Sequence, residues 1–145
     1  MPKICYLCQI KDKSNLASMD IMEFREYCLS LPEVEECTPF DEFTLVYKVS
    51  GRMFACAFME RADHFVVKCD PDWAIELRDA HSEITPAWHF NKRHWNDVSF
   101  TGDLSEQMLR RLICHSYMLV IAKNVTPRAE RVRLQKIALD SGLTL

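Results

Sequence analysis

Glycine is scarce in this chain, three in 145 residues, and none falls in a GxGxxG or GKS/T pattern, so a glycine-rich phosphate-cradling loop is excluded. Long apolar runs are lacking as well. Uncharged apolar stretches such as residues 118–122 fall far short of the roughly 20 residues that span a bilayer, and no membrane partner is expected. Basic residues are in deficit, 18 Lys and Arg against 21 Asp and Glu for a net charge of -3, which argues against a whole-protein grip on nucleic acid or anionic lipid. A local basic patch stays open. A second CxxC is missing beside Cys5 and Cys8; a structural zinc site needs four ligands, so no metal and no cofactor are expected.

What is present is ordinary globular material. Hydrophobic residues at 48% and charged residues at 27% exclude a disordered or collagen-like chain, and the length fits one domain. Lys3, Lys11 and Lys13 surround only a short apolar patch with no small-residue cleavage site, so no signal peptide is expected. Seven cysteines, an odd set scattered through Cys28, Cys37, Cys56, Cys69 and Cys114, fit a reduced cytoplasmic protein that uses Cys as a small hydrophobe.

Periodicity gives the elements. Asp20 and Glu23 form a capping box ahead of Phe24, Tyr27, Cys28 and Leu31 at helical spacing, and Pro32 ends that helix. Residues 44–49 and 52–59 read as strands joined by a two-residue Ser50-Gly51 turn, with Phe54, Cys56 and Phe58 on one side and small residues on the other. Residues 64–69 form a third strand. Asp70 and Pro71 then cap a short helix with Trp73, Leu77 and Ala80 inward. Residues 84–90 and 95–100 read as two more strands around a polar tip. Asp103, with Glu106, caps a longer helix striped by Leu104, Met108, Leu112, His115 and Leu119, and a terminal helix covers about residues 128–139. The order α-β-β-β-α-β-β-α-α, with short hairpins and clustered strands, predicts an α+β domain: an antiparallel β-sheet with helices packed mainly on one face.

The segment Trp88-His89-Phe90-Asn91-Lys92-Arg93-His94-Trp95 concentrates two histidines, two cations, an amide and three aromatics. Cations neutralise phosphate, amides bond base edges and flat rings stack. The alternative is a packing device in which Trp88 and Trp95 close a mini-core under a solvated turn. Cys69 reads as a buried strand-end thiol rather than a nucleophile, and His115 as a core histidine held by one hydrogen bond. No catalytic constellation emerges. Eight acidic residues against Arg25 in residues 20–42 make that region negative and suggest a solvated loop around Glu33, Glu35, Glu36, Asp41 and Glu42. Lys123, Arg128, Arg131, Arg133 and Lys136 against Glu130 make residues 123–136 positive.

Across residues 20–125 the chain resembles the MmcQ/YjbR family of small bacterial proteins. The resemblance rests on residues 22–32 with Val34-Glu35-Glu36, on Thr44–Val49, on Lys68-Cys69-Asp70-Pro71, on the His-x-Asn-Lys-x-His-Trp string from His89 to Trp95, and on His115-Ser116-Tyr117. It implies an antiparallel α+β fold of double-wing type, and a DNA-binding role by analogy of shape. Asn91, Lys92, Arg93 and His94 would then form a wing, with Lys68 a nearby phosphate contact. Residues 1–19 would be a flexible extension and residues 126–145 a basic C-terminal helix and tail.

Three functional readings follow. The first is a non-enzymatic binding module making weak, local contact with DNA through Lys68, His89, Asn91, Lys92, Arg93, His94 and Trp95. The second is a small-molecule or anion pocket, enzymatic or not, built on Lys68 with His89 and His94. The third is an adaptor whose acidic or basic surface engages a partner protein.

Overall fold

The structure, a computed structural model, describes residues 19–143. Helix α1 (Ile21–Ser30) leads into strands β1 (Val34–Cys37), β2 (Thr44–Val49), β3 (Arg52–Phe58) and β4 (His64–Lys68). Helix α2 (Pro71–Ala80), strands β5 (Ile84–Pro86) and β6 (Trp95–Ser99), and helices α3 (Glu106–Asn124) and α4 (Arg128–Asp140) complete the chain. The six strands form one sheet in the order β1-β2-β3-β4-β6-β5, every neighbouring pair antiparallel. This is the expected α+β architecture, with one strand more than the sequence pattern indicates. The Cys5/Cys8 pair and residues 1–18 lie outside the described residues.

The additional strand is β1, in the acidic segment expected to be a solvated loop. Glu36 there is held by Arg25 of α1 through Nε and a second guanidinium nitrogen at 2.7 and 3.1 Å, and by the Tyr47 hydroxyl at 2.8 Å. Val34 packs on the core while Glu35 stays exposed, a charged side chain of the kind that blunts a sheet edge. Burial raises the Glu36 pKa, and the hydrogen bonds from Arg25 and Tyr47 outweigh it, leaving it below the ordinary value of 4.5. The folded state therefore gains stability from ionised Glu36 above the unfolded pKa and loses it as pH falls through the lowered folded value. Glu36→Gln is expected to cost about 1 kcal/mol at neutral pH, discounted for partial solvation. Urea unfolding at neutral and acid pH checks this: the difference from the parent protein must shrink on acidification, and a pH-independent difference contradicts it.

The two-residue turn between β2 and β3 forms as expected, with Ser50 at φ 50° and Gly51 at φ 76°, the paired left-handed conformations that match hairpin twist. A bulge then breaks strict alternation. Tyr47 pairs with Ala55 and Lys48 with Met53, so Phe54 is the extra residue. Phe54 consequently joins Ala55 and Ala57 on the helix side, while Cys56 lies on the other face with Phe58 packed against it, correcting the expectation that Phe54, Cys56 and Phe58 share a side.

Beyond the last β3–β4 pair, Ala55 with Val67, the next backbone groups do not meet directly. Ser116 of α3, fully buried, bridges them: its Oγ accepts from the Lys68 N–H at 2.8 Å and donates to the Phe54 carbonyl at 2.5 Å. A helix side chain thus completes the ladder where the strands part.

The helix-side core centres on Phe24, whose ring lies 5.6 Å from Tyr47, 4.9 Å from Phe65 and 5.8 Å from Phe100. The buried face of α3 runs through Leu109, Leu112, Ile113, Ser116, Tyr117 and Val120, rotated from the expected stripe, so Met108 and His115 are only partly buried. Its N-cap is Ser105, whose Oγ accepts from the Met108 N–H at 3.0 Å. Asp103, the expected cap, instead donates its N–H to Glu83 at 2.6 Å, which fixes it to the end of β5 and leaves capping to Ser105. On α2, Ala74 and Leu77 are buried, Trp73 is half-buried, and Ala80 is exposed rather than inward. Leu134 and Ala138 of α4 join the same core. The two oppositely charged regions meet where Arg133 clasps Glu33 at 2.7 and 2.9 Å, a solvent-exposed pair of small energetic weight.

The opposite face of the sheet carries a smaller cluster of Val46, Cys56, Val66 and Ala87, with Phe90 and Trp95 packed against it. Among the described residues no helix is long and apolar enough to cross a membrane.

Candidate functional site

The candidate site is the β5–β6 connection. Strand β5 stops at Pro86, short of the expected Phe90; it lies at the sheet edge, where a residue without an N–H is tolerated. Turns replace the strand. The Asn91 carbonyl accepts from the His94 and Trp95 N–H groups at 3.1 and 3.0 Å, and its side-chain oxygen accepts from the Arg93 N–H at 3.0 Å, an Asx-type local bond. The Ala87 N–H donates to the Trp95 carbonyl at 3.0 Å and closes the base.

A residue without a clear signal in the sequence supports this loop from outside. Arg78, in the last turn of α2, donates to Asn96 at 2.7 Å, to the Trp95 carbonyl at 3.3 Å and to the Lys92 carbonyl. Only the packing of α2 against β5 brings the Arg78 side chain within reach of these acceptors on β6 and the loop.

The tip presents its chemistry outward. Trp88 is 74% exposed, while His89, Asn91, Lys92 and Arg93 are also exposed. Lys92 reaches back over the Trp88 ring, its Nζ 5.1 Å from the centroid and 3.1 Å from the Trp88 carbonyl. Phe90 and Trp95 turn inward instead, their rings 5.3 Å apart. The expected mini-core therefore forms from Phe90 and Trp95, and Trp88 is left out of it.

Lys68 lies at the other end of the site. It pairs with Trp95 across β4 and β6, and the adjacent Cys69 N–H donates to the His94 carbonyl at 2.7 Å. Its ammonium donates to the Asn124 side chain at 2.8 Å and lies 6.0 Å from the Trp95 ring. Partial burial lowers its pKa below the ordinary value. His89 lines a separate cavity of about 170 Å³ with Arg61, Asp97 and Trp88. In that neighbourhood Asp97 bonds His64 Nδ1 at 2.8 Å. The structure thus joins Lys68 to Trp95, its neighbour Cys69 to the His94 backbone, and Lys92 to Trp88, while His89 lines a cavity without Lys68 or His94.

Cys69 is buried, its thiol pKa pushed up to about 12 mainly by burial, as suits an inert strand-end residue. No group of three or more potential metal ligands occurs among the described residues.

The sequence profile of the YjbR family matches residues 29–119. The chain belongs to the MmcQ/YjbR family. It is 34% identical to the Escherichia coli O157:H7 uncharacterised protein YbdF over 75% of this chain and 90% of that protein. It is 30% identical to YjbR of Escherichia coli K12 over 82% of this chain and all of that one. Among solved structures, Deinococcus radiodurans protein DR2400 matches with TM-score 0.74 and 36% identity, covering 81% of this chain and 89% of its own. A Pseudomonas syringae protein shares the fold with TM-score 0.61 at 23% identity, covering 70% and 98% respectively. The MmcQ/YjbR match spans the strands and helices that position both ends of the candidate site.

Proposed function

We propose that this MmcQ/YjbR protein is a cytoplasmic, non-enzymatic binding module that makes weak, local contact with DNA through the 88–94 loop and Lys68. The observation that carries the reading is Trp88: an indole 74% exposed, on a loop braced by Arg78 and Asn91, offers a stacking platform for an unpaired base. Lys92 beside the ring and Arg93 two residues before Trp95 supply phosphate contacts at the same tip. Single strands suit this geometry best, because every base has a flat face and stacking needs no groove. The net charge of -3 makes the contact local, oriented away from the acidic region. Free thiols at Cys28, Cys37, Cys56, Cys69 and Cys114 support the cytoplasmic assignment.

Fluorescence anisotropy with labelled single-stranded and duplex oligonucleotides at low salt tests the reading. Binding is expected to favour the single strand and to fall linearly on a log–log salt plot. Trp88→Ala is expected to weaken it by about 5- to 150-fold, the range of one base–aromatic stack. No binding to either oligonucleotide at low salt, or unchanged affinity in Trp88→Ala, overturns it.

A further inference from the structure

On the helix side of the molecule, one face of α3 borders a groove of about 790 Å³ that no residue of the 88–94 loop lines, within the size range of small-molecule sites. Tyr27 of α1 and Trp73 of α2 form its aromatic walls, and Leu119 and Leu143 contribute apolar surface. Three cations line it, Arg110, Arg111 and Lys123, against one carboxylate, Asp70. That carboxylate is engaged as the N-cap of α2, accepting from the Trp73 N–H at 3.2 Å. Arg110 is paired with Glu106 at 3.0 Å and rests 5.0 Å from the Tyr27 ring.

Arg111 and Lys123 are different. Neither has a carboxylate within ion-pair distance among the described residues. The Arg111 guanidinium lies 5.1 Å from the Trp73 ring, which holds a planar five-donor fork in place without neutralising it. One turn along α3, His115 Nε2 accepts the Asp70 N–H at 3.2 Å, and the imidazole meets Trp73 edge-on at 4.6 Å. A nitrogen that accepts a backbone N–H carries no proton, so the neutral ring holds its proton on Nδ1 as a donor. Burial also lowers the His115 pKa, favouring that neutral form. From Arg111 to Lys123 the helix rises about 18 Å, a length that exceeds a simple inorganic anion.

We propose that this groove binds an organic phosphate of nucleotide size, its phosphate on Arg111 beside His115 and its body lying along Leu119 and Leu143 toward Lys123. A planar guanidinium matches phosphate through two parallel hydrogen bonds, and the apolar stretch between the two cations requires a ligand with a body. The groove shares no residue with the proposed nucleic-acid contact, so the two readings stand or fall separately.

Isothermal titration of the full chain with ATP, AMP and pyrophosphate at low salt tests this, alongside the variants Arg111→Gln, Lys123→Gln and Trp88→Ala. Saturable nucleotide binding is expected, tighter than that of pyrophosphate, weakened about tenfold or more in Arg111→Gln and less in Lys123→Gln, and unchanged in Trp88→Ala. Circular dichroism confirms that each variant is folded, and Lys123, an exposed side chain, provides a charge removal that leaves the core intact. Absence of saturable binding at millimolar nucleotide, pyrophosphate binding as tight as ATP, or full affinity in both charge variants overturns the proposal.

Discussion

Phe24→Ala is expected to destabilise the protein by about 3–5 kcal/mol, the cost of truncating a fully packed aromatic residue. Phe24 has no solvent exposure and contacts Tyr47, Phe65 and Phe100, so its loss opens a cavity where α1 meets the sheet. The surrounding rings belong to β2, β4 and the segment after β6, and backbone pairing holds most of them where they are. Collapse into the void is therefore limited, and the cost falls toward the upper part of the range. Domains of this size have about 5–15 kcal/mol in total, so the variant should unfold at a much lower urea concentration with little change in m. A loss below about 1 kcal/mol would mean that α1 is not anchored through this ring.

Ser116→Ala is the second large effect, and it has a different origin. The substitution removes one oxygen and leaves almost no void, yet it strands the Lys68 N–H and the Phe54 carbonyl that the hydroxyl bridges. Buried polar groups left without partners cost about 1–3 kcal/mol each, so about 2–4 kcal/mol is expected for the pair. Ser116→Thr, which keeps the hydroxyl, should recover part of it. Amide hydrogen exchange gives a local check: the Lys68 N–H should lose protection in the alanine variant well beyond the change at Val66. Equal protection in both proteins would show that water or a shifted strand satisfies the amide instead. Because Lys68 also reaches Asn124 and pairs with Trp95, loosening this strand end should disturb one end of the candidate site as well.

These two residues differ in how far the sequence reveals them. Phe24 follows a capping box and heads a helical apolar series, so its inward direction is legible from spacing alone. Ser116 stands between His115 and Tyr117, and nothing local distinguishes a bridging hydroxyl from a solvated one. Its role depends on the β3–β4 pairing ending at Ala55 with Val67, next to the Phe54 carbonyl and the Lys68 N–H. The same contrast runs through the candidate site. The cluster from Trp88 to Trp95 is conspicuous as a string, but which aromatic turns outward is not, because period-2 alternation ceases at Pro86. Arg78 and the groove cations Arg110 and Arg111 are missed for a related reason. Each reads as a solvated helix charge until a neighbouring element supplies an acceptor or an aromatic wall. Arg111, His115 and Lys123 do share one helical face, a spacing visible in the sequence, although nothing there says that Trp73 stands opposite.

By itself, the sequence determined the antiparallel α+β class, the helix start at Asp20, the Ser50-Gly51 turn, the cap at Asp70 and the family to which the chain belongs. These follow from local rules: side-chain periodicity, capping chemistry and left-handed turn residues act within a few positions of one another. Only the tertiary structure decided that the acidic run contributes an edge strand, that Ser105 rather than Asp103 caps α3, that Trp88 rather than Trp95 faces solvent, and that Arg111 and Lys123 of α3 border a groove. Each of these turns on a partner distant in the chain, Tyr47 for Glu36, Glu83 for Asp103, Val66 for the Phe90–Trp95 cluster and Trp73 for Arg111. Which of several locally acceptable states prevails is set by the partner that packing supplies.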